Sequence, residues 1–365
     1  MSTFFCPGRT ELAGSHTDHQ KGRVMAAAID RGITADAEPN TDGIIRVYSS
    51  GFDPIEISPD RLWPNENEIG TSSALVRGIA ATLQDAGLQL NGFDAHIISD
   101  LKAGHGFTMS AAFTVLIGYI IAHYADGDAV PPEVLAQYAQ KAAKRWYGNL
   151  GVYTDYLASA LGGGIYYDFQ EDRLTRIDCD FYSAGLVLCL TDTGSFRDAS
   201  VDALAAIPED MTSVARLFGE EQLASVRRAD FDAQWPEHMG ETAWQRARYC
   251  MDEMPRVALM ADALGLHDGE RYIQLMNESG RSSEQLLQNI LSPGCGDALA
   301  DGLSLSAQLL KGVGAWRVHG PGFGGTIQAL MPEDIFPAYQ AAMNEHFGED
   351  ACQRIYMRST GVTEL

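Results

Sequence analysis

The spacing of hydrophobic residues in the first half of the chain predicts strands that alternate with helices. Strand patterns cover residues 24–37, 44–48, 93–98 and 165–169, and helical patterns cover residues 73–86, 111–124 and 132–147. The segment 111–124 is apolar on nearly every side, which is typical of a buried helix, and it is shorter than the ~20 residues that a membrane span needs. The chain therefore begins with β-structure and then passes from a strand through a glycine turn into a buried helix.

The second half of the chain predicts a further mixture of strands and helices. Strand patterns cover residues 185–190 and 354–357, a strand interrupted by glycines covers 315–330, and helical patterns cover 203–218, 243–264, 270–278 and 335–347. A chain of 365 residues exceeds what one hydrophobic core usually supports. We therefore predict an α+β fold of two domains, residues 1–180 and residues 181–365.

Charge and cysteine content narrow the range of functions. The chain has 26 Lys and Arg against 49 Asp and Glu, and its net charge of −23 repels both nucleic acid and anionic membranes. Six cysteines without a C-x-x-C pair indicate neither a zinc site nor a disulfide framework. The first residues show no basic segment followed by a long apolar stretch. These observations predict a cytoplasmic protein with small-molecule ligands, without nucleic-acid or membrane partners.

Three segments carry candidate chemistry, although each is weak alone. Gly104-His-Gly106 leads into a helix that contains Thr108 and Ser110, an arrangement suited to phosphate, but it lacks the Lys of a Walker loop and is equally compatible with a tight turn. The segment 6–20 concentrates Arg, His and Asp beside a glycine turn, as a polyol site does, but polar loops are common. The segment 316–326 places four glycines within an apolar strand pattern, which implies close backbone approach.

Together, the order and spacing of these segments resemble galactokinases of the GHMP small-molecule kinase superfamily. They resemble, in turn, the family's PGRxNLIGEHTDYNGG signature, its GxGLSSSAA loop and its TGAGFGGC turn. Connecting stretches at 28–32, 155–160 and 275–279 resemble the family's AIDRG, MDQxASA and LMNES. The resemblance therefore extends over nearly the whole chain.

The resemblance implies a two-lobed GHMP-kinase-like fold with the active site in the cleft between the lobes. It also implies transfer of the ATP γ-phosphoryl group, with Mg²⁺, to the anomeric hydroxyl of galactose or a related sugar. The implied site residues are Asp155 as base with Arg9 beside it; Ser15, His16, Asp18 and Tyr156 at the sugar; Gly104, His105, Gly106, Thr108, Ser110, Gly322 and Gly324 at ATP; and Ser110 at Mg²⁺.

The chain departs from the family at several of these positions. Ser15 replaces a Glu, Met109 replaces a Ser of the hydroxyl triplet, and Ala143 stands where galactokinases place a Glu that assists Mg²⁺. Two hypotheses follow: an active sugar kinase with altered specificity, or a non-catalytic relative that binds a sugar or nucleotide.

Galacturonate, or another C6-modified sugar, is a candidate within the first hypothesis. The run from Asp18 to Gln20 resembles that of plant galacturonokinases, and Ser15 is able to donate a hydrogen bond to a carboxylate. His16 or His19 adds positive charge there if it is protonated.

Overall fold

The computed structural model describes residues 1–63, 65–101, 108–125, 129–148, 151–195, 201–234, 240–291 and 296–365. The strands are β1 (Ser2–Ala13), β2 (Arg23–Pro39), β3 (Ile45–Ser49), β4 (Ile55–Ile57), β5 (Phe93–Ser99), β6 (Gly164–Asp168), β7 (Arg173–Ile177), β8 (Leu186–Asp192), β9 (Ala315–His319), β10 (Thr326–Pro332), β11 (Cys352–Ile355) and β12 (Thr363–Glu364). The helices are α1 (Ser72–Asp85), α2 (Met109–Tyr124), α3 (Pro132–Ala142), α4 (Tyr153–Leu161), α5 (Val201–Leu217), α6 (Arg228–Ala233), α7 (Glu241–Gly265), α8 (Gly269–Ser282), α9 (Ala298–Leu310) and α10 (Phe336–Phe347).

The first lobe is built on a sheet with the strand order β12-β1-β2-β5-β3-β4, and β6 pairs with both β2 and β7. All of these pairs are antiparallel except that between β3 and β5. Helices α1 to α4 pack against this sheet and enclose the largest hydrophobic cluster. Because α2 is apolar on most sides, it lies at the centre of that cluster, as its sequence predicts.

The second lobe is built on an antiparallel sheet with the order β11-β8-β10-β9. A cluster that includes Met331 and Tyr339 packs α9 and α10 on this sheet. Another cluster joins α7 and α8 to Leu12 and Met25 of the first sheet. The two lobes therefore share a hydrophobic core, and the predicted two-lobed α+β fold is confirmed.

The last strand of the chain returns to the first sheet. Phe4 and Phe5 of β1 pair with Glu364 and Thr363 of β12. A single cut near residue 180 thus leaves one short strand of the first sheet in the C-terminal segment. The boundary itself stays a prediction.

Most of the predicted elements are confirmed with ends displaced by a few residues, but three differ. The polar segment that begins at Cys6 lies largely in strand β1 up to Ala13, because it pairs along β2. The strand predicted at 315–330 is a pair of strands, because several glycines in the intervening turn have positive φ. The helix predicted at 132–147 leaves α-geometry after Ala142 and ends in a wide π turn, a local distortion that is frequent near functional sites.

Two further expectations concern cysteines and membranes. The five cysteines within the described residues are buried and form no disulfide, as expected for packing thiols. Across the same part of the chain, none of the helices combines the length and apolar character that crossing a bilayer requires.

Candidate active site

An ion pair between Arg9 and Asp155 lies at the centre of the candidate site. Arg9 projects from β1 and Asp155 from the first turn of α4, and Nε of Arg9 donates to Oδ1 of Asp155 at 2.6 Å. The two residues are only 4% and 5% exposed. The residue that caps α4 is Val152, so Asp155 is not a helix cap, and burial shows that Arg9 is not part of a surface ion pair. The structure thus brings together the two residues predicted to face the reacting hydroxyl.

Burial and pairing act in opposite directions on this ion pair. Burial raises the pKa of the Asp155 carboxyl, and the adjacent Arg9 guanidinium opposes that rise. Burial lowers the pKa of Arg9, but the negative charges of Asp155 and Glu11 outweigh it, so its net shift is upward. A buried carboxylate with a raised pKa is a better proton acceptor than an exposed one, which suits a general base.

The turn after β1 holds Ser15 and Asp18, two of the predicted sugar contacts. Gly14 has φ of 91°, and an added Cβ would lie 2.1 Å from the Arg23 carbonyl oxygen, so the turn requires glycine there. Ser15 is 6% exposed, and its hydroxyl donates to the Gly320 carbonyl at 2.9 Å. Asp18 is half-buried in a short 3₁₀ turn, and burial raises its pKa. The Ser15 hydroxyl proton is therefore already engaged, whereas the Asp18 carboxylate remains partly accessible.

His16 and His19 form a chain of hydrogen bonds in which both rings are neutral. Nε2 of His16 lies 3.0 Å from the Pro321 carbonyl oxygen and donates to it, which leaves Nδ1 as an acceptor for Nε2 of His19 at 3.4 Å. Nδ1 of His19 in turn accepts from Nε2 of Gln20 at 3.2 Å. Burial, followed for His16 by the neighbouring His19, lowers the pKa of each ring to about 4. Protonation of either ring, the condition for a positive charge at this position, is therefore disfavoured near neutral pH.

The N-terminus of α2 has features that suit the binding of phosphate. Thr108 caps the helix in a left-handed conformation, with φ of 52°, and Ser110 lies in the first turn. No acidic side chain lies in that turn, so the positive end of the helix dipole is not neutralised there. The predicted phosphate loop of Gly104, His105 and Gly106 lies outside the described residues.

The third glycine segment forms the turn between β9 and β10. Gly322 and Gly324 have φ of 86° and 116°. A Cβ on Gly322 would lie 2.3 Å from the carbonyl oxygen of Asn289, and that oxygen also accepts from the backbone N–H of Phe323 at 2.6 Å. The packing of Asn289 explains why residue 322 is glycine. Asn289 is a structural residue of the site that sequence reasoning missed. Contact of these glycines with a nucleotide stays a prediction.

Comparisons with known proteins agree with this geometry. The model of the galactokinase galactose-binding signature matches residues 2–39, and that of the GHMP kinase N-terminal domain matches residues 74–163. The chain carries a galactokinase signature on a GHMP kinase fold. The predicted resemblance to galactokinases is thus confirmed, and these matches support a sugar kinase.

Solved structures show the same GHMP kinase fold. Lactococcus lactis galactokinase complexed with galactose superposes with a TM-score of 0.87 at 24% identity, over 100% of this chain and 95% of that one. Methanococcus jannaschii mevalonate kinase gives 0.68 at 16% identity, over 97% and 98% of the two chains. Streptococcus pneumoniae phosphomevalonate kinase, in complex with phosphomevalonate and AMPPNP, gives 0.66 at 14% identity, over 100% of both chains.

Two positions singled out by the galactokinase resemblance lie inside the first lobe. Tyr156 is 1% exposed and packs in the large cluster enclosed by α1 to α4, where burial raises the pKa of its hydroxyl. Ala143 is also 1% exposed and begins the π turn after α3. The ring of Tyr156 is thus part of the hydrophobic core of the first lobe, and its role as a sugar contact stays a prediction.

A buried polar network joins the two lobes of the GHMP kinase fold beside the ion pair. The Glu11 N–H donates to Nε2 of His319 at 3.2 Å, and its carbonyl accepts from Nη2 of Arg317 and Nε2 of Gln328, each at 2.9 Å. The same amide of Gln328 donates to Oγ1 of Thr10 at 2.9 Å. The sequence analysis singled out the segments 6–20 and 316–326 but assigned no role to these residues, because their partners are about 310 positions away.

Proposed function

We propose that this protein is an ATP-dependent sugar 1-kinase that phosphorylates the anomeric hydroxyl of galactose or a closely related sugar. The matches to the galactokinase signature and the GHMP kinase domain support a sugar kinase. The observation that carries the finer proposal is the buried pair of Arg9 and Asp155 at 2.6 Å. These two residues are 146 positions apart in the sequence, yet they form a buried contact, and Arg9 lies within the galactose-binding signature.

The pair has the groups that phosphoryl transfer from ATP to an alcohol needs. Asp155 accepts the proton of the sugar hydroxyl while the hydroxyl oxygen bonds to the γ-phosphorus of ATP. The bond between the γ-phosphorus and the leaving oxygen of ADP breaks at the same time. Arg9 remains ionised, holds the carboxylate in position and offsets negative charge that develops on the reacting oxygen. Because both side chains are buried, their charges act with little screening by water.

The start of α2 fits ATP and Mg²⁺. The positive end of its dipole, the hydroxyl groups of Ser110 and Thr108 and the absence of acidic residues in its first turn suit phosphate oxygens. No group of three or more metal-binding side chains occurs within the described residues, so an all-protein cage is not available there. Mg²⁺ usually takes most of its ligands from phosphate and water, and Ser110 would supply a protein ligand. When bound, Mg²⁺ neutralises charge on the phosphates of ATP.

The geometry favours a neutral sugar over galacturonate. The Ser15 hydroxyl already donates to Gly320, and the neutral His16 and His19 offer no cation. Galacturonate therefore stays the weaker candidate. A direct comparison of the two sugars in the native protein tests this preference without a change to the buried Ser15.

One observation favours the non-catalytic alternative. Ala143, at the position where the resemblance places a metal-assisting Glu, is buried and brings no ligand. Retention of the Arg9–Asp155 pair argues for catalysis, because a protein that only binds sugar has no need of a proton acceptor.

The experiment that tests the proposal is a coupled assay of ADP release over a panel of hexoses and uronic acids. The native protein is compared with Asp155→Asn, and Asp85→Asn, which changes an exposed carboxylate, is the control. Phosphorus NMR of the product then shows whether the phosphate is on the anomeric oxygen. We expect ADP release that depends on galactose and an anomeric phosphate. Sugar binding without ADP release for any acceptor would support the non-catalytic alternative, and a phosphate on another carbon would contradict the proposed position.

A further inference from the structure

Glu11 is a buried acidic residue whose side chain has no role in the chemistry proposed above. The residue is 6% exposed, and Oε1 of its carboxyl has no hydrogen-bond partner among the described residues. Its backbone groups, in contrast, are both hydrogen-bonded: the N–H donates to His319, and the carbonyl accepts from Arg317 and Gln328. The structure thus fixes the backbone of Glu11 and leaves Oε1 of its carboxylate without a hydrogen-bond partner among the described residues.

The carboxylate lies on the same face of β1 as Arg9. Arg9, Thr10 and Glu11 pair in unbroken register with three consecutive residues of β2, 28, 27 and 26. Alternate residues of a strand project to the same face about 7 Å apart, so Glu11 is next to the Arg9–Asp155 pair on its own side of the sheet. The signature quoted above has Asn at this position, so the charge is a feature of this chain.

Leaving a buried carboxylate oxygen without a partner costs free energy, and native proteins rarely retain such a group without a functional reason. Burial raises the pKa of Glu11, while the charges of Arg9 and Arg317 oppose the rise without hydrogen-bonding to its carboxylate. Arg9 is bonded to Asp155, and Arg317 is bonded to the side chain of Gln328 and the backbone of Glu11. Within the described part of the chain no other donor reaches Oε1 of Glu11, and a ligand is able to supply one.

We propose that Glu11 is a specificity-determining residue that accepts a hydrogen bond from a hydroxyl or ammonium group of the acceptor sugar and disfavours an acceptor that carries a carboxylate. The charges around the position support this choice of ligand chemistry. Asp18 and Asp155 add negative charge near Glu11, so a fourth carboxylate, on the ligand, is repelled, whereas a neutral donor or an ammonium is attracted. The inference rests on the proposed function in one respect, namely that the acceptor sugar meets Arg9 and Asp155.

The test is calorimetric titration of the native protein and of Glu11→Gln with galactose, 2-amino-2-deoxygalactose and galacturonate, without ATP. We expect the native protein to bind one of the first two at least tenfold more tightly than galacturonate. Glu11→Gln should lose at least tenfold in affinity for the preferred sugar and discriminate less against galacturonate. The control is Glu38→Gln, which changes an exposed carboxylate on β2 and should bind as the native protein does.

Thermal unfolding of the ligand-free variants separates binding from a structural role. Because Glu11→Gln removes a buried carboxylate whose Oε1 accepts no hydrogen bond from the described residues, its melting temperature should equal or exceed that of the native protein. The inference would be overturned if Glu11→Gln had a lower melting temperature together with weaker binding, or if its sugar affinity were unchanged. It would also be overturned if the native protein bound galacturonate more tightly than the other two sugars, or bound none of the three. Since binding is measured without ATP, a protein that binds as expected but transfers no phosphoryl group contradicts the proposed function and leaves this inference standing.

Discussion

Replacement of Asp155 by Asn tests the candidate site most directly, because it keeps the shape of the side chain and removes the proton acceptor. General-base catalysis typically contributes 10²–10⁴-fold to a rate. If the sugar is phosphorylated as proposed, kcat/KM should fall by at least about 100-fold in Asp155→Asn, and by less than about twofold in the exposed control Asp85→Asn. Retention of more than about a tenth of native turnover would show that Asp155 is not the base.

The same substitution has a cost in stability that the sequence alone does not reveal. Removal of one partner from a buried ion pair typically costs about 3–5 kcal/mol. Here the Asn oxygen still accepts from Nε of Arg9, and the negative charge of Glu11 remains nearby, so we expect about 1–3 kcal/mol. An unfolding entropy of about 2.1 cal/mol/K per residue, or about 0.8 kcal/mol/K for the 365-residue chain, converts this to a melting temperature about 1–4 °C lower.

The pH dependence of the reaction provides an independent check on the same residue. A base must be deprotonated to act, and burial raises the pKa of Asp155 above its ordinary value. The acid limb of kcat/KM should therefore fall at a pH above the ordinary range of an aspartate. An acid limb that is absent, or that persists at the same pH in Asp155→Asn, would refute the reasoning. Circular dichroism at each pH separates this limb from unfolding.

Three other predictions follow from the geometry. Because the pKa values of His16 and His19 are lowered to about 4, stability that they contribute is present above pH 6.5 and lost as pH falls toward 4; the melting temperature of the double variant His16→Gln/His19→Gln should fall less over that range than that of the native protein. Ala143→Glu should lower stability by about 2 kcal/mol or more in chemical denaturation, because it buries a carboxylate, and improved Mg²⁺-dependent turnover without that loss would contradict the burial. Gly322→Ala should lower the free energy of unfolding by more than about 1 kcal/mol, whereas Gly348→Ala, with positive φ but open space around it, should cost less in the same assay.

The sequence predicted the fold well because the fold depends on local patterns. The buried helix α2, the strand β8 and the amphipathic helices of the second lobe follow from the periodicity of their own residues. The strand β1 was missed because charged and polar residues interrupt its apolar positions. Those residues are buried by partners from both lobes, and no window of local sequence contains that information.

The sequence also singled out Arg9 and Asp155 correctly as neighbours, but only through the family's motifs. It allowed Ser15 to donate a hydrogen bond to a ligand carboxylate and His16 to add positive charge if it is protonated. In the structure the Ser15 hydroxyl donates to the Gly320 carbonyl in the turn between β9 and β10, and burial lowers the pKa of His16. A residue type shows which bonds a side chain is able to make, whereas the fold decides which of them are already made.

This distinction explains why Glu11 is informative although the sequence gave it no emphasis. In the segment that begins at Cys6, Glu11 is one polar residue among many. It is buried because residues of the second lobe pack against β1. Each neighbouring polar group of the network then has a partner, as expected for buried polar atoms, and the Glu11 carboxylate keeps an oxygen without one. A buried polar atom without a hydrogen-bond partner in the protein is expected at a binding site, because the ligand supplies the missing hydrogen bond. If Glu11→Gln proves more stable than the native protein and binds sugar less tightly, then the buried carboxylate lowers the free energy of unfolding of the ligand-free protein and strengthens its binding of the preferred sugar.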